Sequence, residues 1–439
     1  MNKPLPLANW LNSHRHPLHV VAFEGQTRWT QADLINDVHR IYSWLKTQPG
    51  ERWALCFDNS YDFIAALLAT LHAGKTPVIP GHSREAQLRE QQIHFYGVLS
   101  DAALNLICPV INPKGLACTA IQPFESIPAN AGVALFTSGS TGEPAQIVKS
   151  LSALDEEIAW LAALWGESLG DCRVVGSVSH QHLYGFTFRV MLPMALGLAT
   201  DAAMIHFPEQ LAAHTSTPLL FISSPAFLKR LDANLAAPDF KRVISAAGKL
   251  DDDTAQTARA WLNTPVSEIY GTTETGVLAW REHVQPAPKW LPFPLVNFIA
   301  HEDGWWVESP LIGSNPVQLD DILEFTPQGS FRLSGRRDRI VKIEEKRISL
   351  TEIERRLQAL PGIEDAAVVP ILRGNRIVLG AVVVPCGQDG NKQLWREALR
   401  AWLEPVAIPR YWRIVERIPL NSQSKRAWTQ LQELFDETR

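Results

Sequence analysis

Apolar positions follow two alternating rhythms through roughly the first 275 residues. Short apolar or period-two runs mark strands, and longer runs with apolar residues three and four apart mark helices. Residues 20–23 and 27–29 read as a strand pair around the turn Glu24-Gly25-Gln26, after which Thr30 caps a helix running to Leu45. Residues 53–57 form a buried strand, a helix of about 61–72 ends at Gly74, and 76–80 is a short strand. A second βαβ unit spans 87–100 and leads into a strand at 104–107. Ser152 and Asp155 have the spacing of a capping box, and Ile158, Leu161, Ala162, Trp165 and Leu169 share one face of the helix that follows. Further alternation predicts strands at 173–177, 219–222 and 242–245, with helices ending at Leu196 and spanning 225–235. Such alternation implies an α/β body with parallel sheets.

After Gly276 the texture changes. Residues 286–316 are proline-rich and short-stranded, with 305–307 and 322–325 as strands of a small β subdomain covering about 277–334. The charged stretch Gly335-Arg336-Arg337-Asp338-Arg339 lies between apolar strands and reads as a domain boundary. Beyond it come a helix at 351–360, strands at 366–371 and 376–384, a helix at 391–403, a strand at 411–415 and a last helix from Lys425. The predicted fold is α/β: a large N-terminal domain of layered sheets, residues 1–337, joined by a hinge to a small C-terminal α+β domain, residues 338–439.

Composition narrows the function. The chain has 439 residues, 46% of them apolar and 20% charged, which suits a globular protein of two or three units. A net charge of −5 with scattered lysines and arginines offers no field for nucleic acid. Five well-separated cysteines without C-x-x-C spacing suggest reduced thiols. The N-terminus lacks a signal-peptide core and no apolar run reaches the roughly 18 residues a membrane span needs, so a cytoplasmic protein is expected. The 15 tryptophans are assigned to packing.

Chemistry concentrates in four places. Thr137-Ser138-Gly139-Ser140-Thr141-Gly142-Glu143-Pro144 follows an apolar run, and its glycines and hydroxyls suit a phosphate cradle. A Walker loop would continue into a helix through Gly-Lys-Ser/Thr, whereas here Pro144 precedes 146–149, which reads as another strand. A phosphate-holding hairpin loop is therefore expected. Ile269-Tyr270-Gly271-Thr272-Thr273-Glu274 is a second strand that breaks into a glycine turn. The third stretch runs from Gly335 through Lys342 to Lys346-Arg347-Ile348 and Glu352-Ile353-Glu354, and the fourth is Ile418-Pro419-Leu420-Asn421-Ser422-Gln423-Ser424-Lys425.

In this order, the four stretches resemble the signatures of the adenylate-forming superfamily, which comprises acyl-CoA synthetases, aryl-acid ligases and peptide-synthetase adenylation domains. The resemblance implies ATP, Mg2+ and a thiol of CoA or a carrier-protein phosphopantetheine as reactants or cofactors, and a small carboxylic acid as substrate. By the same match, Thr137, Ser138, Gly139, Ser140, Thr141 and Gly142 hold the β- and γ-phosphates. Tyr270 stacks on adenine beside Gly271, Thr272 and Thr273 contact phosphate, and Glu274 holds the metal. Asp321, within Asp320-Asp321-Ile322, takes the ribose hydroxyls, Arg336 contacts the nucleotide, Asp338 is the hinge, and Lys425 is the adenylation lysine. His182, Gly185 and Phe186 match a His-x-x-Gly segment lining the acid pocket, and Ala247, Gly248 and Lys249 a second wall. Phe186-Thr187-Phe188 lacks the aspartate of amino-acid-activating members, which favours an aryl or acyl acid.

The chain departs from the pattern at Ala145, where lysine is usual, at Glu345 for a hinge-domain glycine, and at Ser424 for glycine. Lys149 is the candidate to take over as phosphate-binding cation. These departures also motivate an alternative, a catalytically impaired relative that binds nucleotide or carrier protein as a scaffold. A phosphotransferase lacks a Walker or kinase motif set.

Overall fold

The expected α/β alternation folds into two sheets with parallel centres, seen in a computed structural model describing residues 3–12, 15–117, 123–137, 145–248, 250–285, 287–336, 339–343, 346–373, 376–387, 391–400, 403, 405–421 and 426–436. By their packing, residues 1–297 with 308–317 form one unit, and 298–307 with 318–439 form the other.

In the larger unit, six strands run in the order Val110–Ile111, Gly97–Ser100, Arg52–Cys56, Thr76–Ile79, Gly132–Thr137 and Ala145–Ser150. All neighbours are parallel except the last two, which form an antiparallel hairpin. The second sheet has nine strands. Its central run, from Val266–Thr272 through Phe240–Ser245, Leu219–Ser223, Arg173–Gly176 and Thr200–Asp201 to Val20–Glu24, is parallel, with antiparallel strands flanking it on both sides. The helix Ser60–His72 touches strands of both sheets, and every residue in it except Asp62 is buried. Its nearly continuous apolar surface therefore serves two sheets at once.

In the smaller unit, Ile363–Arg373 pairs antiparallel with Arg376–Pro385, which pairs parallel with Tyr411–Ile414. Ala366 and Val368 face Ile353, Leu357, Trp395 and Leu399, while Ala367, Val369 and Ile371 face Leu431 and Phe435. Helices cover both faces, which explains the unbroken apolar run in the first strand. Phe298, Trp305, Phe325 and Phe331 make an aromatic cluster under the strands Gly304–Glu308 and Asp321–Phe325.

Several boundaries differ from expectation. Ser150, not Ser152, caps the helix Leu151–Leu169 by accepting from the Ala153 N–H, and Asp155 instead accepts the Leu7 N–H at 3.0 Å. The helix from Pro225 stops at Leu228, and Asp232 turns the chain by accepting both the N–H and the side-chain amide of Asn234. The strand expected at 104–107 forms instead at Val110–Ile111, and the last helix begins at Trp428. Among the described residues no helix is long and apolar enough to cross a membrane, and Cys56, Cys108, Cys172 and Cys386 are free thiols.

Candidate functional site

The phosphate-loop candidates hang from a regular hairpin. Gly132–Thr137 pairs with Ala145–Ser150 from Gly132↔Ser150 to Thr137↔Ala145, so the connecting loop leaves and returns in register. A Cβ at Gly132 would lie 2.7 Å from the Lys149 carbonyl, so the hairpin closes only around glycine. Ser138, Gly139, Ser140, Thr141 and Gly142 lie outside the described residues, as do the side chains of Thr137 and Ala145.

The second glycine turn joins Val266–Thr272 to Gly276–Glu282, with a register shift between Tyr270 and Gly271. Gly271 is required there, since a Cβ would lie 2.1 Å from the Gly276 carbonyl. Inside the turn, Thr275 is fully buried. Its hydroxyl accepts the Thr272 N–H at 3.0 Å and donates to the Gly276 carbonyl at 2.9 Å, and the Thr275 N–H donates to the Thr272 hydroxyl at 3.2 Å. Tyr270 packs near Trp290 with ring centroids 5.7 Å apart, and the Arg281 guanidinium lies 4.5 Å over Trp290. Thr273 and Glu274 are half-buried at the tip of the turn.

Two buried charges outside the sequence motifs hold this turn. Lys149 donates from Nζ to the Glu274 carbonyl at 2.7 Å and to the Leu311 carbonyl at 3.1 Å. With its ammonium held by these two carbonyls, Lys149 has a structural role in joining the hairpin to this turn. Glu157, on the helix after the hairpin, accepts the Val277 N–H and the Thr187 hydroxyl, each at 2.8 Å. Gly276, with φ of +71°, lets the chain pass that carboxylate, because a Cβ there would lie 2.8 Å from Glu157 Oε1. Burial lowers the Lys149 pKa and raises that of Glu157, each moderated by the other's charge.

The segment expected to line the acid pocket is pinned by its neighbours. His180 Nδ1 lies 3.0 Å from the Ser60 hydroxyl and Nε2 lies 2.9 Å from the Phe57 carbonyl. A carbonyl only accepts, so Nε2 carries a proton; because burial and Arg189 depress the ring's pKa, the ring is neutral and Nδ1 accepts from the Ser60 hydroxyl. Burial, reinforced by Arg189, lowers its pKa to about 3. Gln181 Nε2 adds bonds to the Leu55 and Phe57 carbonyls at 3.1 and 3.2 Å. His182, at the start of the helix Leu183–Phe186, thereby sits beside the strand entering the phosphate loop: a Cβ placed at Gly81 would lie 3.4 Å from its ring and 3.9 Å from the Phe136 carbonyl. Gly185 presses against Ser179, whose carbonyl a Cβ would approach to 2.0 Å. The Phe186 ring belongs to the core, edge-on to Phe63. Tyr184 places its hydroxyl 3.0 Å from the Ser223 carbonyl and 2.9 Å from that of Ile244, at the ends of two neighbouring strands.

In the second segment expected to line the acid pocket, Ala247 adopts a positive φ of 68° and Gly248 packs near Pro225, while Lys249 lies outside the described residues. Glu268 fixes this segment: it accepts the Leu250 N–H at 3.2 Å, Arg281 Nε at 2.6 Å and contacts His283 at 2.6 Å. One buried carboxylate thus holds the 245–250 turn and the arginine that covers Trp290 behind Tyr270.

In the smaller unit, Asp321 and Arg336 are direct cross-strand partners, with the Arg336 side chain undescribed. A register shift beyond Ile322 and a Gly335 φ of +156° leave one extra residue there, a bulge next to both candidates. Asp338, Glu345 and Lys425 lie outside the described residues. The Lys425 loop is nevertheless closed at its base by an antiparallel bridge between Leu420 and Arg426 and by the Ala427 N–H donating to the Pro419 carbonyl at 3.0 Å.

The model of the AMP-binding enzyme family matches residues 112–296. A 4-coumarate--CoA ligase from Halorhodospira halophila is 30% identical over 308 residues, which span 67% of this chain and 75% of that protein. A D-alanine--D-alanyl carrier protein ligase from Staphylococcus epidermidis is 25% identical over 337 residues, covering 66% and 68% respectively. Among solved structures, ATP-bound MatB from Rhodopseudomonas palustris shares the fold with a TM-score of 0.84 at 18% identity, covering 99% of both chains.

Proposed function

The chain belongs to the AMP-binding, adenylate-forming family of acid–thiol ligases, and from that premise we propose that it activates an aryl or acyl carboxylic acid and delivers it to CoA or a carrier-protein phosphopantetheine. A carboxylate oxygen attacks the α-phosphorus of ATP; the bond to the bridging oxygen breaks, and pyrophosphate leaves. The thiolate then attacks the acyl carbon, forming a thioester and releasing AMP.

The observation that carries this reading is the convergence of segments in the larger unit. His182 lies beside the strand that enters the phosphate loop, and Lys149, on the strand that leaves it, grips the turn bearing Tyr270, Thr272, Thr273 and Glu274. The segments proposed to hold acid, phosphate and adenine therefore flank one hairpin, outside the carboxyl ends of parallel strands. Backbone N–H groups and hydroxyls from 137–142 bind the β- and γ-phosphates, Tyr270 offers a flat ring to adenine, and the Asp321 carboxylate accepts from both ribose hydroxyls. With two Lys149 donors held by backbone carbonyls, contacts of the loop itself to the β- and γ-phosphates come from backbone N–H groups and hydroxyls.

Glu274 is the carboxylate suited to Mg2+, which supplies neutralisation of the triphosphate charge when bound. Lys425 places an ammonium between the carboxylate and the α-phosphate, lowering the repulsion as the two anions meet. Asp338 is the hinge about which the small domain turns so that the thiol enters where Lys425 has withdrawn.

Mass spectrometry of the products from a panel of aryl and acyl acids with ATP tests this, repeated with CoA and with holo carrier protein. An adenylate followed by a thioester supports the proposal. ATP binding without any adenylate supports the scaffold alternative instead.

A further inference from the structure

Glu354 lies on the helix Leu350–Gln358 and is buried, yet nothing in the reaction above uses it. Its Oε1 accepts the Val368 N–H at 2.7 Å, accepts a short bond from the Arg339 guanidinium, and lies 3.4 Å from Arg426. Arg339 also donates to the Val368 carbonyl at 2.7 Å and lies 3.7 Å over the Trp428 ring. Arg426 donates to the Ala366 carbonyl and to Asp365 at 2.7 Å. Arg426 also lies 6.0 Å from the centre of the Trp428 ring, so the two arginines share one carboxylate and one indole. Arg339 directly follows Asp338, and Arg426 directly follows Lys425.

We propose that Glu354 is a positioning residue that ties Arg339, which follows Asp338 in sequence, to Arg426 at the base of the Lys425 segment, and that catalysis by Lys425 depends on this tie. The proposal rests on the ligase reading for the role of Lys425, but its structural half does not. Two guanidinium groups this close repel each other unless an anion lies between them. Both arginines also bond backbone carbonyls, and Arg426 bonds the partly exposed Asp365, but Glu354 is the buried charge that touches both. Without it, Arg426 keeps its hold on the strand through Ala366 and Asp365, while its link to Arg339 goes. The 420–426 bridge then lacks the group that fixes its position relative to residue 339. Lys425 adjoins Arg426 in sequence.

The test uses full-length protein carrying Glu354→Gln, with Glu352→Gln as a control on the same helix, where the carboxylate pairs only with Arg355 and Arg356 among the described residues. Hydrogen exchange without substrate should rise about tenfold or more in the 419–427 segment of Glu354→Gln and stay unchanged in Glu352→Gln. Unchanged exchange in that segment overturns the proposal whatever the activity. For catalysis, Glu354→Gln should lower kcat for ATP–pyrophosphate exchange about tenfold with Michaelis constants held within about twofold, and the same substitution in Lys425→Ala should cause no further loss. An equal loss in both backgrounds means Glu354 does not act through Lys425. Absence of exchange in the wild type refutes the ligase reading while the hydrogen-exchange result still decides the coupling. Glu354→Asp, which keeps the charge, should recover part of kcat, and equal defects in the aspartate and glutamine variants count against the charge as the cause.

Discussion

Replacing Lys149 with methionine keeps the aliphatic stem and removes the ammonium. Two charge-assisted hydrogen bonds go with it, to the Glu274 and Leu311 carbonyls at 2.7 and 3.1 Å. Bonds to charged groups contribute about 1.5–3 kcal/mol each, and the buried carbonyls left behind add a desolvation cost. Against this, the variant no longer buries an ammonium, whose pKa burial already lowers. The balance is a loss of about 3 kcal/mol, within the range for breaking a buried charged interaction. The loss falls on the turn carrying Thr272, Thr273 and Glu274, so the Michaelis constant for ATP should rise about fivefold or more. Urea unfolding followed by tryptophan fluorescence, with ATP kinetics alongside, reads both. Since the unfolded chain holds this proton more tightly, wild-type stability should also gain relative to Lys149→Met as pH rises toward 10.5. Stability within about 0.5 kcal/mol of wild type together with an unchanged ATP constant would refute the argument, since surface substitutions alone do that little.

Gly185→Ala drives a Cβ to 2.0 Å from the Ser179 carbonyl, and differential scanning calorimetry should show a loss of about 3 kcal/mol or more. His180, with its pKa lowered to about 3, binds its proton less readily when folded, so its contribution is full above 6.5 and declines as pH falls through 6.5 toward 3. Between pH 7 and 4 the wild type should lose about 3 kcal/mol more urea stability than His180→Gln, and parallel curves would contradict the neutral ring. Ala247 sits at a φ of 68°, so Ala247→Gly should raise thermal stability by about 0.5 kcal/mol, the left-handed penalty less the added freedom of the unfolded glycine.

Sequence patterning reached the hairpin, the parallel sheets and the turn at Gly271 because each depends on local rules: apolar alternation, glycines and breakers. It failed where a side chain chose a distant partner. Asp155 has the spacing of a cap yet bonds Leu7, because the helix begins earlier, at Leu151. In the strand Ala145–Ser150, Val148 is 59% exposed while Lys149 is 5% exposed, the reverse of what hydrophobicity predicts. That inversion arises because two backbone carbonyls at Glu274 and Leu311 require a donor, and both lie more than 100 residues away along the chain. Glu157 was equally hidden, although a carboxylate adjoining Ile158 on the apolar face of a helix was a signal available in the sequence. The roles of Asp321, Arg336 and Lys425 rest on motif order, since cross-strand pairing brings the first two together but says nothing of a ligand.

The central claim is tested most directly by ATP–pyrophosphate exchange on the full chain, with a panel of aryl and acyl acids and with Lys425→Ala assayed in parallel. Acid-dependent exchange in the wild type, reduced about a hundredfold or more in Lys425→Ala, is the result expected of a lysine that stabilises charge at the reacting phosphorus. Exchange with none of the acids, or undiminished exchange in Lys425→Ala, would contradict it.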